Sequence, residues 1–267
     1  MTYDLIISDF DGTLGRVPGF IEPETVQAIK DYISKGGIFS VVTGRSYSSI
    51  SAICQNYGLL SVVASFQGAS IIDLKNGKEI FSGGLSLKRA MEIIKDLKST
   101  ELGLSVWAND VLYYDKENSY TNLYENKLAI TKCVKLDNIC DLQKINGFLV
   151  QKIVIIVNPE QKKTYEKFFQ ERYGSDVIVN SGAKNLIEII DARINKGFAV
   201  KKIAEYFNVP LSRVLAVGDS SNDLELLSGE WHGVAVGNAD EELKNIAKEI
   251  TVPFLEQPIK LLLEKYG

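Results

Sequence analysis

Two aspartates stand two residues apart, directly after a short apolar run near the start of the chain. Asp9 and Asp11 lie in Asp9-Phe10-Asp11-Gly12-Thr13, which follows Leu5-Ile6-Ile7. The apolar run is typical of a buried strand, and side chains two residues apart on a strand point the same way, about 6.6 Å apart along the backbone. Both carboxylates can therefore converge at the carboxyl end of the strand, where one could attack, one could move protons and both could help to hold a cation.

Two other interpretations of this segment must be considered. An Asp-rich turn after a strand is common and needs no function. A calcium-binding EF-hand loop requires glycine at its sixth position and glutamate at its twelfth, between helices. Because Gly12 is the fourth residue here, Phe20 the twelfth, and a strand precedes them, the spacing excludes that loop. Gly12 is expected to allow a tight turn and to leave its N–H free for an anion.

A second candidate segment, Thr43-Gly44-Arg45, directly follows the strand-like run Ile38-Phe39-Ser40-Val41-Val42. A hydroxyl, a glycine and a cation at the end of a strand suit a phosphate, because Thr43 and nearby N–H groups can donate hydrogen bonds and Gly44 permits close approach. Taken alone, the segment is more typical of an ordinary strand-to-helix turn.

Two further polar segments lie in the last third of the chain. Lys196 follows Asn195, a residue type typical of helix N-caps, and Gly218-Asp219-Ser220-Ser221-Asn222-Asp223 follows the strand-like run Val214–Val217. Four carboxylates gathered at one sheet edge would repel one another unless a cation lay among them. Oxygen ligands favour a hard ion such as Mg²⁺, and Lys196 would supply further positive charge.

The overall composition excludes several other classes of protein. The chain has 267 residues, of which 45% are hydrophobic and 24% charged, and its net charge is −4, which argues against a nucleic-acid or anionic-membrane partner. No apolar stretch approaches the roughly 20 residues of a membrane span, and no signal peptide is recognisable. Cys54, Cys133 and Cys140 form no C-x-x-C pair, as expected for a reducing cytoplasm. His232, the only histidine, is expected to be structural.

Strand-like and helix-like segments alternate at both ends of the chain. This alternation predicts an α/β fold with a doubly wound parallel, Rossmann-like sheet, whose elements would position the polar groups. The predicted elements are a helix from Pro23 to Gly36-Gly37, a helix over Tyr47–Tyr57, a strand at Val62–Ala64, a hairpin at Asn76-Gly77, a helix over Gly197–Phe207, a helix over Asp223–Leu227, a strand at Val234–Val236 and a helix over Ile259–Lys265.

At Gly83-Gly84 the pattern changes, and residues 83–190 are predicted to be an inserted α/β domain within a core domain formed by residues 1–82 and 191–267. The predicted elements of the insert are a helix from Ser86 to Leu97, strands at Leu104–Trp107 and Val111–Tyr114, a strand at Leu149–Val157, a helix over Pro159–Tyr173, and strands at Val177–Val179 and Leu186–Ile190. The stretch from Lys116 to Asn146 shows no pattern that allows elements to be placed.

The polar segments together resemble the four motifs of the haloacid dehalogenase superfamily, and the inserted domain resembles the type IIB α/β cap of its Cof-type phosphatases. The matching segments are Asp9-x-Asp11-Gly12-Thr13, Val42-Thr43-Gly44-Arg45, Lys196-Gly197, Gly218-Asp219-x-x-Asn222-Asp223 and Gly237-Asn238-Ala239. Two positions depart from the pattern: Gln67-Gly68-Ala69 replaces Asn-Gly-Ala, and Pro253 to Pro258 replaces Asn-x-x-Asp-Gly-Val. Neither change affects a reacting group.

The resemblance implies a role for each matched residue. The implied nucleophile is Asp9 and the implied general acid/base is Asp11. The implied phosphate-binding residues are Gly12, Thr43, Gly44, Arg45, Lys196 and Asn222. The implied Mg²⁺ ligands are Asp9, Asp219, Asp223 and the backbone carbonyl of Asp11. Asp223 and Asn222 would also support Lys196 and metal-bound waters.

These residues predict a Mg²⁺-dependent phosphatase that hydrolyses a small-molecule phosphate monoester, such as a sugar phosphate or a phosphorylated cofactor, through an aspartyl-phosphate on Asp9. A sugar phosphomutase with the same nucleophile and a non-enzymatic, phosphorylatable regulator are the alternatives. We expect a cytoplasmic monomer or weak homodimer without a nucleic-acid or membrane partner. The insert is expected to be a mobile, substrate-selecting cap, with Trp107, Asn109, Tyr113 and Lys184 as candidate contacts.

Overall fold

The computed structural model describes residues 2–98, 100, 102–126, 131–145, 147, 149–181 and 185–267. The chain divides into two compact units, Met1–Ser82 together with Asn195–Gly267, and Gly83–Ile194. The second unit extends past the predicted residue 190, because the N–H of Ala192 donates to the carbonyl of Asp176 and so keeps the following turn within that unit.

The strands of the described residues are listed here in chain order: β1 (Leu5–Ser8), β2 (Ile38–Val42), β3 (Val62–Ser65), β4 (Ser70–Asp73), β5 (Lys78–Ser82), β6 (Gly103–Ala108), β7 (Val111–Tyr114), β8 (Cys133–Lys135), β9 (Val150–Ile156), β10 (Val177–Ser181), β11 (Leu186–Asp191), β12 (Val214–Gly218), β13 (His232–Ala235) and β14 (Glu249–Ile250). The α-helices are α1 (Pro23–Ser34), α2 (Tyr47–Asn56), α3 (Leu87–Lys98), α4 (Ser119–Asn126), α5 (Lys162–Tyr173), α6 (Lys196–Phe207), α7 (Leu224–Leu227), α8 (Glu241–Ile246) and α9 (Pro258–Tyr266).

The first unit contains an eight-stranded sheet in the order β14-β13-β12-β1-β2-β3-β4-β5. Strand β1 is fully buried and runs parallel to both β2 and β12, with Ser8 opposite Val41 and Val217. The carboxyl ends of these three strands are therefore level. The predicted doubly wound α/β fold is confirmed, and β4 and β5 form the predicted antiparallel hairpin around Asn76-Gly77.

The second unit contains a six-stranded sheet in the order β10-β11-β9-β6-β7-β8, in which only β7 and β8 pair in parallel. Apolar residues of α3 and α5 pack with inward-facing residues of β6, β9 and β11 in one core, which includes Ile94, Phe169 and Ile153. Strands β6 and β9 are buried along almost their whole length.

Several elements differ from their prediction. The expected helix from Pro159 begins with a 3₁₀ turn over Pro159–Gln161, and α5 starts only at Lys162. Elements α4 and β8 lie in the stretch that gave no sequence pattern. Helix α8 and the two-residue strand β14 were not predicted, because an element this short carries too little periodicity to be recognised. None of the described helices is long and apolar enough to cross a membrane.

Candidate active site

The polar segments meet at one edge of the sheet of the first unit. Asp9 directly follows β1, Thr43 follows β2 and Asp219 follows β12, and the level strand ends bring them together. Lys196 is the first residue of α6, whose N-cap Asn195 accepts a backbone N–H of the first turn at 2.8 Å. This edge, where the strand order reverses on either side of β1, is where open α/β sheets bind ligands.

Lys196 is the centre of the charged network, and only 1% of its side chain is exposed. Its Nζ donates to Asp9 Oδ1 at 2.6 Å, to Asp223 Oδ1 at 2.5 Å and to Asn222 Oδ1 at 3.2 Å. Burial by itself lowers the pKa of a lysine, but the carboxylates of Asp223 and Asp9 outweigh that effect and hold the pKa of Lys196 above its ordinary value. The lysine is therefore charged at neutral pH.

Three carboxylates surround this single lysine. Oxygen atoms of Asp9, Asp219 and Asp223 all lie within 4.8 Å of one another. Burial, followed by the charges of Asp223 and Asp219, raises the pKa of Asp9 well above its usual range despite Lys196. Burial and Asp223 raise the pKa of Asp219 to about 6, although Thr13 Oγ1 donates a hydrogen bond to it at 2.9 Å. Three carboxyl groups thus outnumber the one lysine, and their all-oxygen donor set fits a hard divalent cation.

Asp223 differs from the other two carboxylates of the cluster. Its Oδ2 accepts hydrogen bonds from the backbone N–H groups of Asp219, at 3.0 Å, and Ser220, at 3.1 Å, while its Oδ1 binds Lys196. Both oxygens are thus engaged in ordering the loop and the lysine. This arrangement favours a supporting role for Asp223 over the direct metal ligation that the motif implies.

Gly12 does not have the predicted role. Its N–H donates to the carbonyl of Gly15 at 3.0 Å, so the prediction that this N–H is left free for an anion is wrong. The chain folds back on itself directly after Asp11, and this turn consumes the donor. With φ at +87°, a Cβ at position 12 would lie only 2.6 Å from Asp219 Oδ2. Glycine is therefore required here so that Asp219 can approach the Asp9–Thr13 turn.

Asp11 lies outside the acidic cluster and is paired with Arg45. The guanidinium binds both carboxylate oxygens, with Nε to Oδ2 at 2.7 Å and Nη2 to Oδ1 at 2.6 Å. Its Nη1 donates to the carbonyl of Pro18 at 2.7 Å, and its Cζ lies 4.6 Å from the ring centre of Phe10. The sequence predicts Arg45 as a phosphate-binding residue, but in the structure this side chain orients Asp11.

Thr43 is buried next to the end of β2. Its Oγ1 accepts a hydrogen bond from the backbone N–H of Arg45 at 3.2 Å, which fixes the hydroxyl oxygen. Its own N–H donates to the carbonyl of Ala64 at 2.9 Å and so anchors the segment to β3. Since the hydroxyl proton has no acceptor among the described residues, it can be donated to a ligand.

Comparison with known proteins identifies the family and the fold. A family model described as haloacid dehalogenase-like hydrolase matches residues 6–257. The chain belongs to the haloacid dehalogenase-like hydrolases. This confirms the predicted family and establishes the chain as an enzyme of that hydrolase class.

Two relatives and one solved structure illustrate the similarity. The hydrolase is 31% identical to a Haemophilus influenzae protein named provisionally as a phosphatase, over 99% of this chain and 98% of that protein. It is 26% identical to the 5-amino-6-(5-phospho-D-ribitylamino)uracil phosphatase YitU of Bacillus subtilis, over 98% and 97% of the two chains. A haloacid dehalogenase-like hydrolase from B. subtilis matches the structure with a TM-score of 0.87 and 24% identity, over 98% of this chain and 99% of that one.

The four residues of the second unit that are predicted to contact substrate differ in their surroundings. Trp107 is fully buried, and its Nε1 donates to Tyr120 OH at 2.9 Å, so its expected contact with substrate is wrong and its role is structural. Asn109 bonds through both side-chain atoms to backbone groups of the loop before β9, which also indicates a structural role. Tyr113 is half-buried and stays a candidate, whereas Lys184 lies outside the described residues.

Proposed function

We propose that this hydrolase is a Mg²⁺-dependent phosphatase that cleaves small-molecule phosphate monoesters through an aspartyl-phosphate on Asp9. The observation that carries the proposal is the imbalance of buried charge around Lys196, where three carboxylates face one ammonium group. Such an imbalance is costly in a site that is only structural, but it suits a site that must bind a cation together with a phosphate.

In the first step a carboxylate oxygen of Asp9 would form a bond to phosphorus as the bond between phosphorus and the ester oxygen breaks. Asp11 would give its proton to the departing oxygen, so that the organic product leaves as an alcohol. The hydroxyl of Thr43 and the ammonium of Lys196 would donate to the phosphoryl oxygens, whose charge develops in the transition state.

In the second step water would attack the phosphorus of the acyl phosphate while Asp11 takes its proton. The bond between phosphorus and Asp9 breaks, inorganic phosphate forms, and both carboxyl groups return to their starting states. The bidentate contact with Arg45 would hold the Asp11 carboxyl in a fixed orientation for both proton transfers. Asp9, Asp219 and the backbone carbonyl of Asp11 are the proposed ligands of Mg²⁺, which would neutralise charge at the site.

A small phosphorylated metabolite is the proposed substrate class. The relative YitU is named for a substrate of this kind, a ribityl phosphate attached to a uracil. The residues of the proposed chemistry all lie in the first unit, which supports the proposal that Gly83–Ile194 serves in substrate selection.

Release of inorganic phosphate from a panel of sugar, polyol and cofactor monophosphates, with and without Mg²⁺, tests the proposal. We expect turnover that EDTA abolishes, and a loss of about 10³-fold or more in Asp9→Asn, because that side chain no longer provides a nucleophile. Asp31→Asn, a matched change on the exposed surface of α1, should keep full activity.

Near-normal activity in Asp9→Asn would contradict the proposal. Isomerisation of a sugar phosphate without phosphate release would indicate a mutase instead, and a long-lived phosphorylated protein without turnover would indicate a regulator.

A further inference from the structure

Asp219, one of the proposed ligands of Mg²⁺, is restrained at its backbone and at both side-chain oxygens. Its backbone N–H donates to Asp223 Oδ2 at 3.0 Å, and its carbonyl accepts the N–H of Asp240 at 2.9 Å. Its Oδ1 accepts the hydroxyl of Thr13 at 2.9 Å. Its Oδ2 lies against Gly12, where a Cβ would approach it to 2.6 Å. These contacts, all made by the protein itself, hold the carboxylate in one orientation.

The turn that carries Thr13 is fixed by its own hydrogen bonds. The carbonyl of Phe10 accepts the N–H groups of Leu14, at 3.0 Å, and of Gly15, at 2.8 Å. The side chain of Thr13 is buried within this turn, since the residue is only 1% exposed. Threonine is branched at Cβ, which restricts rotation about χ1. The hydroxyl is therefore presented to Asp219 from a fixed position.

The hydrogen bond from Thr13 joins two segments that are remote in the sequence. Thr13 follows β1 and Asp219 follows β12, and 206 positions separate them. A buried threonine with a structural role can donate to a carbonyl of its own segment, as Thr121 does to Asn118 at 3.0 Å. Thr13 instead donates to a carboxylate of the acidic cluster. This choice of acceptor indicates a role in the site as well as in the turn.

Hydrogen bonds of this kind determine how well a carboxylate binds a metal. A carboxylate that ligates a metal is itself commonly held by a hydrogen bond, and loss of the partner typically costs roughly 10–100-fold in metal affinity or activity. Mg²⁺ demands a near-ideal octahedron with ligands at about 2.0–2.1 Å, so a misoriented carboxylate is poorly tolerated. Because the contact with Thr13 restricts the carboxylate of Asp219 beforehand, less rotational freedom remains to be lost when a cation binds.

We propose that Thr13 is a positioning residue that orients Asp219 for the binding of Mg²⁺. This inference rests on the proposed Mg²⁺-dependent function and adds a residue to it. The hydroxyl of Thr13 acts through Asp219 Oδ1, and Thr13 needs no contact of its own with the metal or with the substrate.

Titration of the protein with the metal alone tests the proposal, because it does not depend on turnover. Mn²⁺ takes the same oxygen ligands as Mg²⁺, and EPR spectroscopy measures the free Mn²⁺ ion, so the titration gives a Kd for Mn²⁺ and competition gives one for Mg²⁺. The variant Thr13→Val keeps the shape of the side chain but removes the hydroxyl. We expect both Kd values to rise about tenfold, and the Mg²⁺ concentration for half-maximal phosphate release to rise with them.

Thr25→Val is the matched control for this substitution. Thr25 is 3% exposed, and its Oγ1 donates to Gln257 Oε1 at 3.2 Å, so the control also loses the hydrogen bond of a buried threonine. Neither Thr25 nor Gln257 belongs to the acidic cluster. We therefore expect Thr25→Val to bind both ions with the affinity of the wild type.

Two smaller variants keep the test decisive if Thr13→Val folds poorly. Thr13→Ser keeps the hydroxyl and should retain the Kd of the wild type, whereas Thr13→Ala removes it and should raise the Kd about tenfold. A wild-type Kd in folded Thr13→Val or Thr13→Ala would overturn the proposal, as would an equal rise in Thr25→Val or Thr13→Ser. A wild-type protein that binds neither ion would overturn the proposed metal-dependent function itself, and the inference with it.

Discussion

Lys196 and Lys152 are both buried and bind carboxylates at the same distance, but the two lysines differ in the number of carboxylates around them. In the first unit, Lys196 Nζ lies 2.6 Å from Asp9 and binds Asp223 as well, with Asp219 in the same cluster. In the second unit, Lys152 Nζ on β9 lies 2.6 Å from Glu188 on β11, and only 5% and 13% of these two side chains are exposed.

The difference between the two sites is the balance of charge. Lys152 and Glu188 form a pair of one cation and one anion on neighbouring strands, so the pair has no net charge to compensate. Around Lys196 the carboxylates outnumber the lysine, and burial together with the charge of Asp223 raises the pKa values of Asp9 and Asp219. A buried pair with balanced charge is typical of structure, whereas an unbalanced cluster indicates a site prepared for a ligand.

Replacement of each lysine by methionine should separate the two roles most clearly. Lys196→Met and Lys152→Met both leave carboxylates buried without their cation, so each should lower the free energy of unfolding by about 3–5 kcal/mol. Only Lys196→Met should also lower kcat per folded molecule, by about 10²–10³-fold, because it removes a donor to the phosphoryl group. Denaturant unfolding and phosphate-release assays measure the two effects. A loss of turnover as large in folded Lys152→Met would remove the distinction.

Neutralising one carboxylate at each site should change stability with opposite sign. In the folded protein the pKa of Asp219 is raised to about 6, whereas in the unfolded chain it is about 3.9. The folded state retains a proton that the unfolded state releases between about pH 4 and pH 6, so without metal the free energy of unfolding falls as pH rises through this window, by up to about 3 kcal/mol.

Asp219→Asn should reduce that fall in EDTA-containing buffer and should be more stable than the wild type at pH 7. Glu188→Gln should be less stable there, since Lys152 loses its carboxylate. Urea unfolding at a series of pH values provides the comparison. If Asp219→Asn proves less stable than the wild type at pH 7 without metal, the cluster has no excess charge.

The smallest expected effect concerns Arg45, whose bidentate contact orients Asp11 at the edge of the cluster. Arg45→Lys keeps the charge but cannot bind both carboxylate oxygens in one plane. We expect about a tenfold lower kcat/KM for esters with a poor leaving group and a smaller loss for p-nitrophenyl phosphate, which needs little protonation of its leaving oxygen. Equal losses on both substrates would indicate that Arg45 contacts the phosphoryl group, as its sequence motif predicts.

Much of the first unit could be predicted from local sequence. The apolar run before Asp9 and the two-residue spacing to Asp11 predict a strand that ends in carboxylates, because the pleat of a strand fixes the period of its side chains. Asn195 predicts the start of α6, and its cap places Lys196 on the first turn. The same local signals did not reveal α8, which is too short to show a period, or α4, whose sequence is mostly polar.

Only the tertiary structure decided which of these groups meet. Thr13 and Asp219 are 206 residues apart, and they come together because the strands that precede them, β1 and β12, pair in register. Arg45 could serve a phosphate or a carboxylate equally well by its chemistry, and its pairing with Asp11 follows from the positions of two strand ends. The sequence alone determined the strands, the helix starts and the kinds of reactive group. Which group contacts which was decided by long-range packing, because local backbone preferences carry no information about distant partners.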